Sequence, residues 1–281
     1  MKNTVYKDCR LTMKENENHK TIIKIGEINI GEDFLMIAGP CSVEEEDIMF
    51  RISEELVKNG VRFLRAGAYK PRTSPYSFQG LGEKGIAILE KIKNKTGLKI
   101  VTEVLDEYSF DKVDQVADIL QIGSRNMANF SLLKRVGKQK KPVLLKRGMS
   151  ATLSEYLMAA EYIMNEGNPN VILCERGIRT FDNHCRNTLD IAAVPSLKKL
   201  THLPVIVDPS HAAGERDLVI PLSKAAIAIG ADGLIIETHL IPAESWSDAD
   251  QAISVSQLGE ILDFIHAQSL NKPFKKIKKI A

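Results

Sequence analysis

Residues 171–177 read VILCERG, residues 204–210 PVIVDPS and residues 233–239 GLIIETH. Each is a nearly continuous apolar run of strand length that breaks off in charged residues, the pattern of a strand buried on both faces, as in a parallel sheet. Working outward, the pattern recurs at FLMIAG (34–39), RFLRAG (62–67), KIVTEV (99–104), ILQIG (119–123) and PVLLKRG (142–148). The segments between carry helix signals. Ser42-Val43-Glu44-Glu45 reads as a capping box before an apolar face of Ile48, Met49, Ile52, Leu56 and Val57, with Gly60 as the stop. Thr152 and Glu155 open another helix ending near Gly167, and Ser254 and Gln257 open one whose face is Val255, Leu258, Ile261, Leu262 and Ile265. Eight βα units in succession predict an α/β fold, a (β/α)8 TIM barrel over residues 32–270, ahead of a doubly wound sheet.

Before the barrel, IIKIGEINIG (22–31) alternates apolar and polar positions around Gly26-Glu27 and predicts a short β-hairpin. It belongs to an N-terminal extension, residues 1–31, too short for a core of its own and placed to plug the N-terminal mouth of the barrel. Residues 271–281 read as a basic, solvated C-terminal tail.

The 281 residues, 44% hydrophobic and 26% charged, exclude disorder, collagen and coiled coil. A net charge of +2 gives no electrostatic reason for a nucleic-acid partner. No apolar run reaches the roughly 20 residues that span a bilayer, and the opening segment is polar where a signal peptide is apolar, so a cytoplasmic protein with no membrane partner is expected. Four cysteines are too few and too irregular for a disulfide framework or a CxxC zinc site. Cys174 and Cys185 read as structural, and Cys9 lies in an end expected to be mobile.

In such a barrel, chemistry gathers where strands give way to helices. The run ends offer Cys41, then Arg65 and Lys70, Glu103, Arg125, Lys146 and Arg147, Glu175 and Arg176, Asp208 and His211, and last Glu237 and His239. Four strands delivering Arg or Lys to one mouth point to a polyanionic ligand, such as a small phosphorylated acid gripped by guanidinium groups. Adjacent strand residues face opposite ways, so only one of Lys146 and Arg147 faces the axis. A second grouping, Cys41, His211, Glu237 and Asp248, combines a thiol, an imidazole and two carboxylates at strands one, seven and eight. That donor set suits one divalent transition metal ion, Mn, Fe, Co or Zn. Spacing alone leaves the matter open, since the residues are scattered and a single Cys is commonly an inert small hydrophobe.

The motifs IAGPCSVE, LRAGAYKPRTSPYSFQGLGEKG, QIGSRN, PVLLKRGMSAT, ILCERGIRTF, VDPSHAAGERDLV and IIETH, followed by Asp248, together resemble the 3-deoxy-D-arabino-heptulosonate-7-phosphate (DAHP) synthases, in the β form of type I. The resemblance covers the barrel from about Phe34 to the last helix. It implies a metal-dependent, aldol-like condensation of phosphoenolpyruvate (PEP) with erythrose-4-phosphate that releases inorganic phosphate, the first step of the shikimate pathway to chorismate and the aromatic amino acids. By the same resemblance Cys41, His211, Glu237 and Asp248 match the metal ligands, Arg65, Arg125, Lys146 and Arg176 the grip on PEP, and Arg72 and Thr73 the clamp on the tetrose phosphate. The resemblance also implies that Lys70 lies near the PEP carboxylate and the aldehyde oxygen, and makes Glu103 a candidate for handling the attacking water, or else a carboxylate paired with a neighbouring cation.

The nearest rivals are 3-deoxy-D-manno-octulosonate-8-phosphate synthase, which uses arabinose-5-phosphate, and sialic acid synthases. The KPRTS stretch, residues 70–74, speaks against both, since the octulosonate enzymes typically carry an Asn-Arg-Ser-Ser type sequence there. A non-catalytic PEP-binding sensor is the reading from another class, and the intact metal position argues against it. Two departures stand out: Glu215, where similar enzymes often have Arg, and the Thr238-His239-Leu240 loop with Trp246. The resemblance further implies a homo-oligomer, dimer or tetramer. No regulatory domain fits the residues, so a catalytic core without feedback inhibition is expected unless a separate regulatory chain supplies it.

Overall fold

The computed structural model describes residues 6–72 and 74–271, so Thr73 and the basic tail beyond Asn271 lie outside the described residues. Strands β1 (Ile23–Ile25) and β2 (Ile28–Ile30) form the expected hairpin, with Ile25 opposite Ile28 across Gly26-Glu27. The eight apolar runs become eight parallel strands: β3 (Leu35–Gly39), β4 (Phe63–Arg65), β5 (Lys99–Val104), β6 (Ile119–Ile122), β7 (Val143–Lys146), β8 (Val171–Glu175), β9 (Val205–Val207) and β10 (Gly233–His239). They pair in chain order, and β10 closes the ring by pairing with both β9 and β3. A two-residue strand, β11 (Ile253–Ser254), extends the sheet beside β10.

The outer layer is α1 (Glu46–Lys58), α2 (Glu83–Thr96), α3 (Glu107–Val116), α4 (Phe130–Gly137), α5 (Leu153–Asn165), α6 (Ala193–Leu200), the short α7 (Pro209–Ala213), α8 (Arg216–Ala228) and α9 (Val255–Asn271). Thr152 and Glu155 make a reciprocal capping box on α5. Ser254 and Gln257 exchange the equivalent pair of bonds at the start of α9. The capping box expected from Ser42 does not form. The chain stays extended beyond β3, bridging Ser42 to Gly67, so α1 starts only at Glu46, behind Glu45, which makes no side-chain cap. Ser42 instead meets the Ser247 hydroxyl at 3.0 Å.

Two apolar layers follow from the strand period of two. Leu35, Ile37, Phe63, Val101, Ile119, Leu144, Ile172, Cys174, Ile206 and Ile235 face the axis and form one cluster, closed at the N-terminal mouth by Ile23 and Ile30 of the hairpin. The alternate positions, among them Met36, Leu64, Ile100, Leu120, Leu145, Leu173 and Ile236, join the helices in the larger cluster. Cys9, expected in a mobile end, packs into that larger cluster at 2% exposure. Its anchor is the neighbouring backbone: Glu161 of α5 accepts from Leu11 N–H and Thr12 N–H.

Candidate active site

The inward alternation does not stop at the apolar layer. Two residues beyond Phe63 on β4 comes Arg65; beyond Val101 comes Glu103; beyond Ile119, Gln121; beyond Leu144, Lys146; beyond Cys174, Arg176; beyond Ile206, Asp208; and beyond Ile235, Glu237. Strand parity alone therefore stacks a polar layer on the apolar one at the C-terminal mouth. Arg147 has the opposite parity, as does Glu175. The two pair at 2.8 Å behind the sheet, with Asp190 as a third member, and neither lines the cavity at the mouth.

That cavity has a volume of about 300 Å³ and is lined by Arg65, Lys70, Arg72, Glu103, Arg125, Lys146, Arg176, His211 and Asp248, with Gln121, Ser77 and Arg186. Arg65 Nε, Arg72 Nε and Arg176 Nη1 are buried there without a hydrogen-bond partner. Buried guanidinium N–H groups left unpaired are costly, and an anion is the ligand that satisfies them. Arg125, on a 3₁₀ turn (Ser124–Asn126), reaches Pro71 C=O at 3.4 Å from the rim.

Beneath the cavity the ligand atoms of Cys41, His211, Glu237 and Asp248 all lie within 4.8 Å of one another. Gly39 lets β3 approach β4 closely enough to put Cys41 there: its φ is 144°, and a Cβ would stand 2.2 Å from Arg65 C=O. Asp248 reaches the cluster by adopting φ 54°, the left-handed conformation, which no other non-glycine among the described residues shows. Backbone strain of that kind persists where surrounding contacts hold it. Here Asp248 accepts from Cys41 Sγ at 2.9 Å and from Arg186 at 3.1 Å. Gln251 donates to Glu237 at 2.5 Å, and so does Arg65. His211 Nε2 stands 3.3 Å from Glu237, and its Nδ1 faces Asp208 at 2.8 Å.

Electrostatics follow from this crowding. Burial, with Glu237 alongside, pushes the Cys41 thiol up to about 12. Burial also works against ionising Glu237 and Asp248, yet both are held below their ordinary range, Glu237 by His211 and Arg65, Asp248 by the Cys41 hydrogen bond and His211. Two ionised carboxylates, an imidazole and a thiol in one buried spot form a donor set matched to a divalent transition cation. Lys70 Nζ donates to Cys41 Sγ at 2.8 Å and to its carbonyl at 3.0 Å, which places an ammonium at the seam between cluster and cavity. Among the described residues Glu103 has Gln121 as its partner, at 3.1 Å, rather than a cation.

The DAHP synthetase I family model matches residues 12–271. The chain belongs to that family. Phospho-2-dehydro-3-deoxyheptonate aldolase of Thermotoga maritima is 52% identical over 259 residues, 92% of this chain and 77% of that protein. The crystal structure of a Thermotoga maritima protein of that name, also called DAHP synthase, superposes with a TM-score of 0.91 at 50% identity, over 94% of this chain and 78% of that one. A 2-dehydro-3-deoxyphosphooctonate aldolase of Francisella tularensis is 31% identical over 85% of this chain and 92% of that one.

Within this DAHP synthetase I member the two departures have structural answers. Glu215 is the residue before α8 and makes no side-chain cap. Its neighbour Arg216 donates to Ala249 and Ala252 C=O, at 2.8 and 2.6 Å, and so ties α8 to the strap that carries Asp248. His239 Nε2 meets buried Glu44 at 3.1 Å, and Glu44 also accepts from Ser245 and the Trp246 N–H. The sequence motifs assign no role to Asp208, Gln121, Gln251 or Arg186. The first two are legible as inward parity positions; the last two approach the cluster from loops, where no periodicity marks them.

Proposed function

We propose that the chain condenses PEP with erythrose-4-phosphate, forming DAHP and releasing inorganic phosphate, and that the mouth of the barrel is where it does so. The observation that carries this reading is the juxtaposition of the four-residue donor cluster with a cavity of unpaired buried guanidinium groups. Arg65, Arg125, Lys146 and Arg176 hold the phosphate and carboxylate of PEP. The strand-borne three among them cost little ordering on binding, because β4, β7 and the end of β8 fix their backbones. Arg72 clamps the tetrose phosphate at the rim, and Thr73, which lies outside the described residues, takes the same role by the family resemblance.

A divalent ion held by Cys41, His211, Glu237 and Asp248 would supply Lewis-acid polarisation of the aldehyde. Asp208, facing His211 Nδ1, keeps Nε2 turned to that cluster. The Lys70 ammonium stabilises negative charge on the aldehyde oxygen as C3 of PEP bonds to the carbonyl carbon, and donates a proton to that oxygen. Glu103 takes a proton from the water that adds to C2 before phosphate leaves.

The 52% identical aldolase favours the tetrose, and the octulosonate relatives at 31% are more distant. Parallel assays of PEP consumption with erythrose-4-phosphate and with arabinose-5-phosphate, each with a chelated control, test the reading. Chelator-sensitive turnover with the tetrose alone is expected; turnover with the pentose instead would transfer the chain to the octulosonate reaction, and none with either would favour the PEP sensor.

A further inference from the structure

Phe78 and Trp246 come from different loops and meet edge to face, with ring centroids 5.4 Å apart and planes at 88°. Phe78 follows the segment that carries Arg72 and Ser77 into the cavity. Trp246 stands two residues before Asp248. Each side of this contact is anchored by the backbone beside its ring. On the Phe78 side Lys70 N–H donates to Gln79 C=O at 2.9 Å, Gly82 N–H to Ala68 C=O at 2.9 Å, and the Gln79 amide to Ser77 C=O at 2.7 Å. On the Trp246 side Glu44 accepts the Trp246 N–H at 3.0 Å, and the neighbouring Ser247 hydroxyl meets Ser42, next to Cys41. Trp246 nevertheless stays 43% exposed, high for a side chain that is ordinarily well buried.

We propose that the Phe78–Trp246 ring pair is a latch that holds the Arg72-bearing loop in register with the strap that carries Asp248, so that both residues are positioning residues for the phosphorylated acceptor. The inference rests on the reading of Arg72 as the acceptor clamp. It follows from where the two halves of the site are mounted. Arg65 and Lys146 sit on strands and hold their places without the latch. Arg72 sits on the loop between Lys70 and Gln79, which meets the neighbouring loops through the Phe78 ring and through the contact of Pro71 C=O with Arg125. Removing the ring therefore loosens the acceptor half selectively. An edge-to-face pair is strong enough to shift binding by about two- to tenfold.

Trp246 is the chain's single tryptophan, so its emission reads the latch directly. The test compares wild type with Phe78→Ala, Phe78→Leu and Phe78→Tyr in the metal-reconstituted full chain, recording Trp246 emission during titration with PEP and with erythrose-4-phosphate, then steady-state KM for each. The proposal expects Phe78→Ala and Phe78→Leu to red-shift the ligand-free emission and to raise KM for the tetrose about two- to tenfold. PEP binding should stay at the wild-type value, and Phe78→Tyr should restore both readouts. An unchanged tetrose KM, or parallel losses for PEP and tetrose, overturns it. If wild type turned over neither sugar, the functional reading would fail, and binding alone would decide the latch: weaker quenching by erythrose-4-phosphate in Phe78→Ala supports it, and identical titrations overturn it.

Discussion

His211 stands with its Nδ1 2.8 Å from Asp208, a carboxylate that accepts from the His211 backbone N–H at 2.9 Å and from Lys146 at 2.5 Å. One buried acid at the end of β9 thus orients a ligand of the donor cluster and a cation of the anion cavity together. Burial alone would raise the Asp208 carboxyl, but His211 and Lys146 hold it well below the usual carboxylate range. Asp208→Asn keeps the shape and removes the charge. Metal affinity, followed by competition with a chromophoric chelator, should fall about 10- to 100-fold, as for other carboxylates behind a metal-binding imidazole.

Glu103 is held by Gln121 and occupies room that Gly123 leaves, since a Cβ there would stand 2.2 Å from its Oε1. If it handles the water, Glu103→Gln should lower kcat by about 10²- to 10⁴-fold. PEP binding, measured by calorimetry on the metal-loaded protein, should stay at the wild-type value, because the cations that grip PEP are untouched.

Arg147 shares its parity with Glu175 and lies outside the cavity, so its contribution is to stability. Arg147→Ala leaves the buried Glu175 without its cation behind the sheet, and should cost about 3–5 kcal/mol in denaturant unfolding. KM values for both substrates should hold in the fraction that folds.

The hairpin plug makes a second purely structural prediction. Ile23 is 2% exposed and completes the inner cluster at the end of the barrel opposite the site. Ile23→Ala should destabilise by about 2–5 kcal/mol while kcat and both KM values stay at wild type.

His202 ties the N-terminal segment to the barrel by accepting from Thr21 Oγ1 at 2.6 Å on Nδ1 and donating to Leu11 C=O at 2.7 Å from Nε2. Burial lowers its pKa; the Leu11 carbonyl and Glu15 oppose this, while His19, stacked at 4.0 Å, and Lys14 reinforce it. The unfolded chain then binds the proton more readily than the folded one, so this contribution is present above the ordinary histidine range near 6.5 and declines as pH falls through it. Melting temperature should drop between pH 7.5 and 5.5, and His202→Gln should flatten that slope.

Strand parity explains what was legible in the sequence. Short apolar runs ending in charge specify a closed parallel barrel, and the same alternation that builds the inner apolar layer carries Arg65, Glu103, Lys146 and Glu237 one step further into the mouth. It also resolves the choice between Lys146 and Arg147, since only Lys146 has the inward parity. What was not legible depends on contacts between segments distant in the chain. Ser42 has a capping sequence, but the bridge to Gly67 delays the helix. Glu44 reads as part of that cap, yet it is the buried acceptor for a loop some 200 residues later. Arg186 and Gln251 meet Asp248 and Glu237 from irregular backbone, where no period exists to read.

The proposed reaction draws the donor cluster and the anion cavity of one mouth into a single turnover. Its most direct test is phosphate release from PEP by metal-depleted protein resupplied with one equivalent of a divalent transition metal, with and without erythrose-4-phosphate, alongside Cys41→Ala. One phosphate released per tetrose consumed, dependent on metal and tetrose and lost in Cys41→Ala, is the predicted result. Phosphate release that proceeds without the tetrose, or at an undiminished rate in Cys41→Ala, would contradict it.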